Sequence, residues 1–242
     1  MKIFVINPGS TSTKLALFEN EKVIWAAGAH HSSEDLQHFH HVNEQYEYRR
    51  DFIFRLLAEA GIPIEFDAVI ARGGLLKPTP GGVYAINEQM KYDLLHARME
   101  HACNLGALIA DEMAKKCGCP AYIADPEVVD ELQPAARYTG IPEIERISIF
   151  HALNSKAVSR KYAASIGKHY EELNLIVVHL GGGISVGAHC PGRVRDVNNA
   201  LNGDGPIRPE RSCTITTATF AEPSCHGTSH LIPLEALRPG EA

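Results

Sequence analysis

No apolar run in this sequence approaches the ~18 residues that a membrane-spanning helix requires, and the chain goes straight into "MKIFVIN" without the order of a leader peptide. A transmembrane helix is excluded, a signal peptide is not expected, and a cytoplasmic location is. Basic blocks are missing too: 23 Lys and Arg stand against 29 Asp and Glu, a formal charge of -6. That balance argues against a surface that tracks nucleic-acid phosphates and leaves any anionic ligand to a few local groups. The six cysteines (Cys103, Cys117, Cys119, Cys190, Cys213, Cys225) lack a disulfide framework and read as reduced, buried thiols. Cys117-Gly-Cys119 has half the spacing of a metal site, and His30, His31, His38, His40 and His41 crowd one polar stretch. Neither shows a tetrahedral ligand spacing, and Cys213, Cys225, His226 and His230 form a zinc set only on paper. Two phosphate signatures are absent as well, GxxxxGK[ST] and GxGxxG, so neither a P-loop nor a Rossmann site is expected.

What is present is 242 residues, 45% hydrophobic and 21% charged, enough to bury a sizeable core in one large or two smaller domains. Ile3 to Ile6, Lys14 to Phe18 and "EKVIWAAGAH" read as strands, with Pro8 and Gly9 bending the chain between the first two. Glu44 to Ala60 has helical apolar spacing and stops at Gly61. "FDAVIARGG" reads as a buried strand entering a loop, "VYAINEQMKYDLL" as strand then helix, Asn104 to Lys116 as a helix, and Pro120 to Asp125 as a short strand. Ala152 to Gly167 is a further helix, followed by the apolar run Leu175 to Leu180. Strands alternating with helices predict an α/β fold. From Ser212 onward no period is visible, and that tail is expected to be poorly ordered.

The second apolar run breaks into Gly181-Gly182-Gly183 as the first breaks at Gly9. Moving the sequence along by 173 positions lays Gly9 on Gly182 and Ser12 on Ser185, each between strand-like segments. This predicts two related domains, residues 1–150 and 151–211, ahead of the tail 212–242. A glycine turn between paired strands presents backbone N–H groups, and Ser10, Ser12 and Lys14 add donors at the same place. One such turn is as easily a decorated hairpin. Two facing each other could hold opposite ends of a polyphosphate. Arg72 lies at a strand's C-terminal end, where α/β sheets place their ligands, and could clamp an anion or merely cap the strand. Asp125 ends the next strand and His151 precedes a helix; a helix cap and a satisfied core histidine are their structural alternatives.

Seven stretches together carry a family likeness: "INPGSTSTKLALFE", "ARGGLLKPTPGGVYAIN", "HACNLGALIA", "IADPEVVDEL", "FHALNSKAVSRKYA", "VVHLGGGISVGAH" and "DVNNALNGDGPIRPER". They resemble butyrate kinase, a relative of acetate kinase among the actin-like and sugar-kinase ATPases. The resemblance runs from residue 1 to about 211, and "RGGLLKP" with "NNALNGDGP" points to butyrate or branched-chain fatty-acid kinase rather than acetate kinase. It implies a ribonuclease H-like actin/acetate-kinase fold, with duplicated domains of mixed sheet and flanking helices, the second incomplete here. It further implies reversible transfer of the ATP γ-phosphate to butyrate, giving butyryl phosphate and ADP, with Mg2+. No nucleic-acid or membrane partner is implied, and a homo-oligomer stays open for the full-length form.

By the same resemblance Asn7 lies near the magnesium and the transferring phosphate. Ser10, Ser12 and Lys14 form the first phosphate loop; His179 with Gly181, Gly182 and Gly183 forms the second. Arg72 holds the substrate carboxylate and His101 stands in the acyl region. Asp125 matches the active-site aspartate, His151 the histidine at the phosphoryl group in flight, and Arg211 a second transition-state arginine. Family chains continue beyond the point where the match stops, so a truncated or frame-shifted product is expected. A non-catalytic nucleotide-binding remnant and a structural actin-like module are the alternative readings.

Overall fold

A computed structural model describes residues 1–139, 144–181 and 183–201. The tail 212–242, Gly182 and Arg211 lie outside them. The N-terminal strands form a meander, β1 (Lys2–Pro8), β2 (Ser12–Glu19) and β3 (Lys22–His30). A four-residue helix α1 (Ser33–Leu36), capped by Ser32 and Asp35, and a 3-10 turn at Val42–Gln45 lead into α2 (Tyr46–Glu59). Then come β4 (Ala68–Arg72), β5 (Val83–Ala85), α3 (Glu88–Leu95), α4 (Asn104–Cys117) and β6 (Ala121–Ala124). The later elements are α5 (Ala152–Ser165), β7 (Leu175–His179), β8 (Ser185–His189) and β9 (Val194–Val197).

The first six strands make one mixed sheet in the order β3-β2-β1-β4-β6-β5. β1, β4 and β6 run parallel at its centre, while β2, β3 and β5 are antiparallel to their neighbours. Alternation buries Phe4 and Ile6 on one face of β1, where Phe66 stacks on Phe4 at 4.8 Å. Ile53 and Leu57 of α2 and Ile109 and Met113 of α4 close over this core. Gly106 lets α4 lie flat on β4, because a Cβ there would sit 2.8 Å from the Arg72 carbonyl oxygen. Gly118, at φ 68°, ends α4 in the left-handed conformation that glycine adopts without penalty.

β7, β8 and β9 form a second, antiparallel three-stranded sheet. Its Val194 and Val197 pack on Val129, Leu132 and Phe150, so the segment after β6 belongs to this core. The two meanders correspond in detail. Each middle strand carries an irregularity against its third strand, at Leu17/Phe18 and at Ala188/His189. The ladder closes the first turn at Pro8 opposite Thr13, with four residues between, and the second at His179 opposite Ser185, with five. Register therefore equates Ser185 with Thr13 rather than with Ser12. Burial agrees: Thr13 and Ser185 are both fully buried hydroxyls, and each is hydrogen-bonded to a histidine, His31 at 2.8 Å and His151 at 2.7 Å.

Candidate active site

Parallel pairing aligns the C-terminal ends of β1, β4 and β6. Ile6 lies beside Ala71 and Arg72 beside Ala124, so Asn7, Arg72 and Asp125 emerge at one edge of the sheet. Lys14, directly opposite Asn7 on β2, joins them. The N-terminus of α5 and the end of β7 face this edge with His151 and His179. Together these six line a cleft of about 380 Å³, with Glu127 and Asn154 among the other wall residues.

Asp125 is buried and has φ 34°, a left-handed backbone that costs a non-glycine residue ~1–3 kcal/mol. Its surroundings hold it there. Its N–H donates to the Gly82 carbonyl at 2.8 Å, Oδ1 accepts from the Gly82 N–H at 2.9 Å, and Oδ2 accepts from Arg160 Nη1 at 2.9 Å. Arg72 Nε forms an ion pair with the buried carboxylate of Glu127, which fixes the guanidinium from one side and leaves its far edge for the cleft. Burial pushes the Glu127 carboxyl above its usual range, against the pull of Arg72. The same burial, with Glu127 adjacent, raises the Cys103 thiol and keeps it protonated.

His151 precedes α5, and its ring is doubly fixed. Its Nδ1 lies 2.7 Å from Ser185 Oγ, its backbone N–H donates to the same oxygen at 3.2 Å, and its ring stacks on His179 at 3.8 Å and 9°. Gly183 makes room for that ring: a Cβ there would approach His151 Cε1 to 2.9 Å. Asn154, one turn into α5, meets His179 Nδ1 at 2.8 Å. Burial, then the Arg72 charge, holds His179 below the ordinary histidine value, so it is neutral at pH 7.

Ser10 and His101 meet each other, with Oγ 3.1 Å from Nε2, and His101 Nδ1 reaches Cys103 Sγ at 2.8 Å. Ser12 is half-buried at the end of the first turn, where its carbonyl accepts the Gly9 N–H at 2.7 Å. Gly181 lies against His179, with a Cβ position 3.5 Å from Nε2. The residues expected from sequence thus give one cleft group (Asn7, Lys14, Arg72, Asp125, His151, His179), with Gly181 against His179 and Gly183 against His151, while Ser10, Ser12 and His101 are not among the residues that line the cleft. Sequence reasoning missed Glu127, Asn154, Arg160 and Ser185. Their one signal is position: Glu127 two residues after Asp125, Asn154 and Arg160 on the helix after His151, and Ser185 at the equivalent of Thr13.

No protein-family model matches the chain. It is 84% identical over 222 residues to a probable butyrate kinase of Phocaeicola vulgatus, covering 92% of this chain and 63% of that protein. It is 53% identical over 213 residues to butyrate kinase 2 of Clostridium acetobutylicum, covering 87% and 60%. Among solved structures, Porphyromonas gingivalis acetate kinase superposes with a TM-score of 0.63 at 17% identity, covering 95% of this chain and 65% of that one. That likeness gives the acetate kinase fold, as the mixed sheet and flanking helices do. The chain is thus similar to butyrate kinases across most of its own residues and spans about three fifths of the length of the curated relatives it matches.

Proposed function

We propose that this chain carries the phosphoryl-transfer site of a carboxylate kinase that passes the γ-phosphate of ATP reversibly to butyrate. The observation that carries the reading is the convergence of Asn7, Lys14, Arg72, Asp125, His151 and His179 on one cleft, in a chain 84% identical to a probable butyrate kinase. In the forward direction a butyrate oxygen attacks the γ-phosphorus, the bond to the β-phosphate oxygen breaks, and ADP leaves with the electron pair. A carboxylate is already nucleophilic at neutral pH, so the obstacle is repulsion among anions rather than deprotonation.

This chain's cations answer that repulsion. Arg72, oriented by Glu127, presents a planar fork to the substrate carboxylate and the equatorial oxygens of the transferring group. The Lys14 ammonium makes no ion pair among the described residues and is available to phosphate. His151, fixed by Ser185 and His179, meets the phosphoryl group in flight; the turns at Ser10–Ser12 and Gly181–Gly183 hold the polyphosphate; His101 borders the acyl region. Asp125, engaged by Arg160, orients this edge of the cleft. Arg211, the second transition-state arginine in this reading, lies outside the described residues.

Among the described residues no three His, Cys, Asp or Glu converge as a metal cage. Asn7 and Asp125 nevertheless offer oxygen donors to the cleft, the small protein share that Mg2+ takes when phosphates and water complete its shell. Bound there, the ion would neutralise β- and γ-phosphate charge.

A hydroxamate assay for acyl phosphate, run with ATP across acetate, propionate, butyrate, isobutyrate and valerate, tests the reading. Butyrate-dependent product that disappears in Arg72→Ala with the fold intact is expected. Arg72→Ala turning over at a near-normal rate would sink the role of that residue. Nucleotide binding by calorimetry without any acyl phosphate would leave a non-catalytic phosphate-binding module.

A further inference from the structure

Arg49, on α2, is completely buried, yet among the described residues no carboxylate faces it. The other deeply buried cation, Lys156, is paired with Glu131. A buried charge without a counter-ion is unfavourable unless something else compensates it. Around Arg49 that something is the first turn. Nη1 donates to the Gly9 carbonyl at 3.0 Å, to Thr13 Oγ1 at 3.2 Å and to the Ser12 carbonyl at 3.4 Å; Nη2 donates to the Ser10 carbonyl at 2.8 Å; Nε donates to Gln45 at 3.0 Å. The His31 N–H takes the remaining carbonyl, that of Thr11, at 2.8 Å. His31 itself is neutral, its pKa lowered to about 4 by burial and then by Arg49, so the guanidinium is the charge beneath the turn.

In a planar trans peptide the carbonyl of one residue and the N–H of the next point in opposite directions. With the Gly9 and Ser10 carbonyls drawn to Arg49, the N–H groups of Ser10 and Thr11 are turned away from it, and neither has a partner among the described residues. Successive N–H groups aimed outward make an anion-binding concavity. We infer that Arg49 is a positioning residue for phosphate: from beneath, it pins the carbonyls of the first turn so that the Ser10 and Thr11 amides face the incoming anion, whose charge balances its own. The inference rests on the phosphate-binding part of the proposed function and adds a residue that never touches the ligand.

The test is a titration of the isotope-labelled 242-residue chain with inorganic pyrophosphate, followed by the amide resonances of Ser10 and Thr11. Those two amides should shift and saturate. Arg49→Lys keeps the charge but not the fork, and should weaken pyrophosphate about tenfold, equivalent to about 1.4 kcal/mol. Arg49→Met should lose the Ser10 and Thr11 response while resonances of the second sheet stay dispersed. Should Arg49→Met fail to fold, Arg49→Lys decides alone. Wild-type Ser10 and Thr11 amides that ignore pyrophosphate, or Arg49→Lys binding it within about twofold of wild type, would overturn the inference. An intact amide response without acyl phosphate in the hydroxamate assay overturns the butyrate reading and leaves Arg49 where it is placed here.

Discussion

Replacing Lys156 by methionine isolates one interaction that ties the two sheets together. Lys156 is 2% exposed, and its ammonium lies 2.8 Å from both oxygens of Glu131. Glu131 also accepts the Gly81 N–H at 3.1 Å and the Val194 N–H at 2.8 Å, so one carboxylate joins the loop before β5, helix α5 and strand β9. Methionine matches the lysine stem but leaves Glu131 buried without its cation. Breaking a buried pair from one side costs ~3–5 kcal/mol, a large share of the ~5–15 kcal/mol that stabilises a typical protein. With a urea slope of about 2 kcal/mol/M, the unfolding midpoint should fall by about 2 M. Removing both charges in Lys156→Met/Glu131→Gln should recover at least about 1.5 kcal/mol, because no buried charge is then left without its partner, although the single amide oxygen keeps only one of the Gly81 and Val194 N–H groups, which bond different oxygens of Glu131. A midpoint shift below about 0.3 M, or a double variant no better than the single, would refute the reasoning. The pH dependence has a fixed sign. Burial raises the Glu131 carboxyl, but the Lys156 and Val194 hydrogen bonds outweigh it and hold it below its usual value. The pair's contribution is therefore present above the unfolded carboxylate value of about 4.3 and is lost as pH falls through the folded one.

Two further outcomes follow from the cleft. In Gly183→Ala the new Cβ meets His151 Cε1 at 2.9 Å and the Ala200 carbonyl at 3.3 Å, and the ring, held by Ser185 and His179, has nowhere to retreat. Displacing it by about 1 Å should cost ~10²-fold in acyl phosphate formation, and a wild-type rate would contradict the placement of His151. His179 should titrate below its ordinary value in an NMR pH series and move upward in Arg72→Ala, since the arginine charge contributes to the depression; no upward movement would remove Arg72 from its surroundings.

Most of the scaffold was legible because its signals are periodic and local. β1 to β4, α4 and α5 begin within a few residues of the positions expected from alternation, helical spacing and glycine stops. The helix expected from Glu44 begins at Tyr46, since Val42–Gln45 closes as a 3-10 turn. The first turn's likeness to the second was also visible, although ungapped sliding could not register the extra residue in the second turn. Buried charge was invisible. Arg49 in "EYRRDF" and Lys156 in "ALNSKAVS" sit in stretches that read as helix surface, and nothing nearby in sequence reports that their partners are distant. Glu127 is hidden for the same reason: a carboxylate becomes a support for Arg72 only once β4 and β6 lie side by side.

The first turn and its guanidinium lie at most 40 positions apart, whereas the second hairpin begins at Leu175. At ribosomal rates the interval between synthesis of Arg49 and of Ser185 is on the order of 10 s. The first turn is then made first and waits for its counterpart, so the two turns are assembled in order rather than at once. Proteolysis of nascent chains stalled before residue 150 should find residues 9–13 already protected; cleavage there would show that the turn needs the second sheet to close.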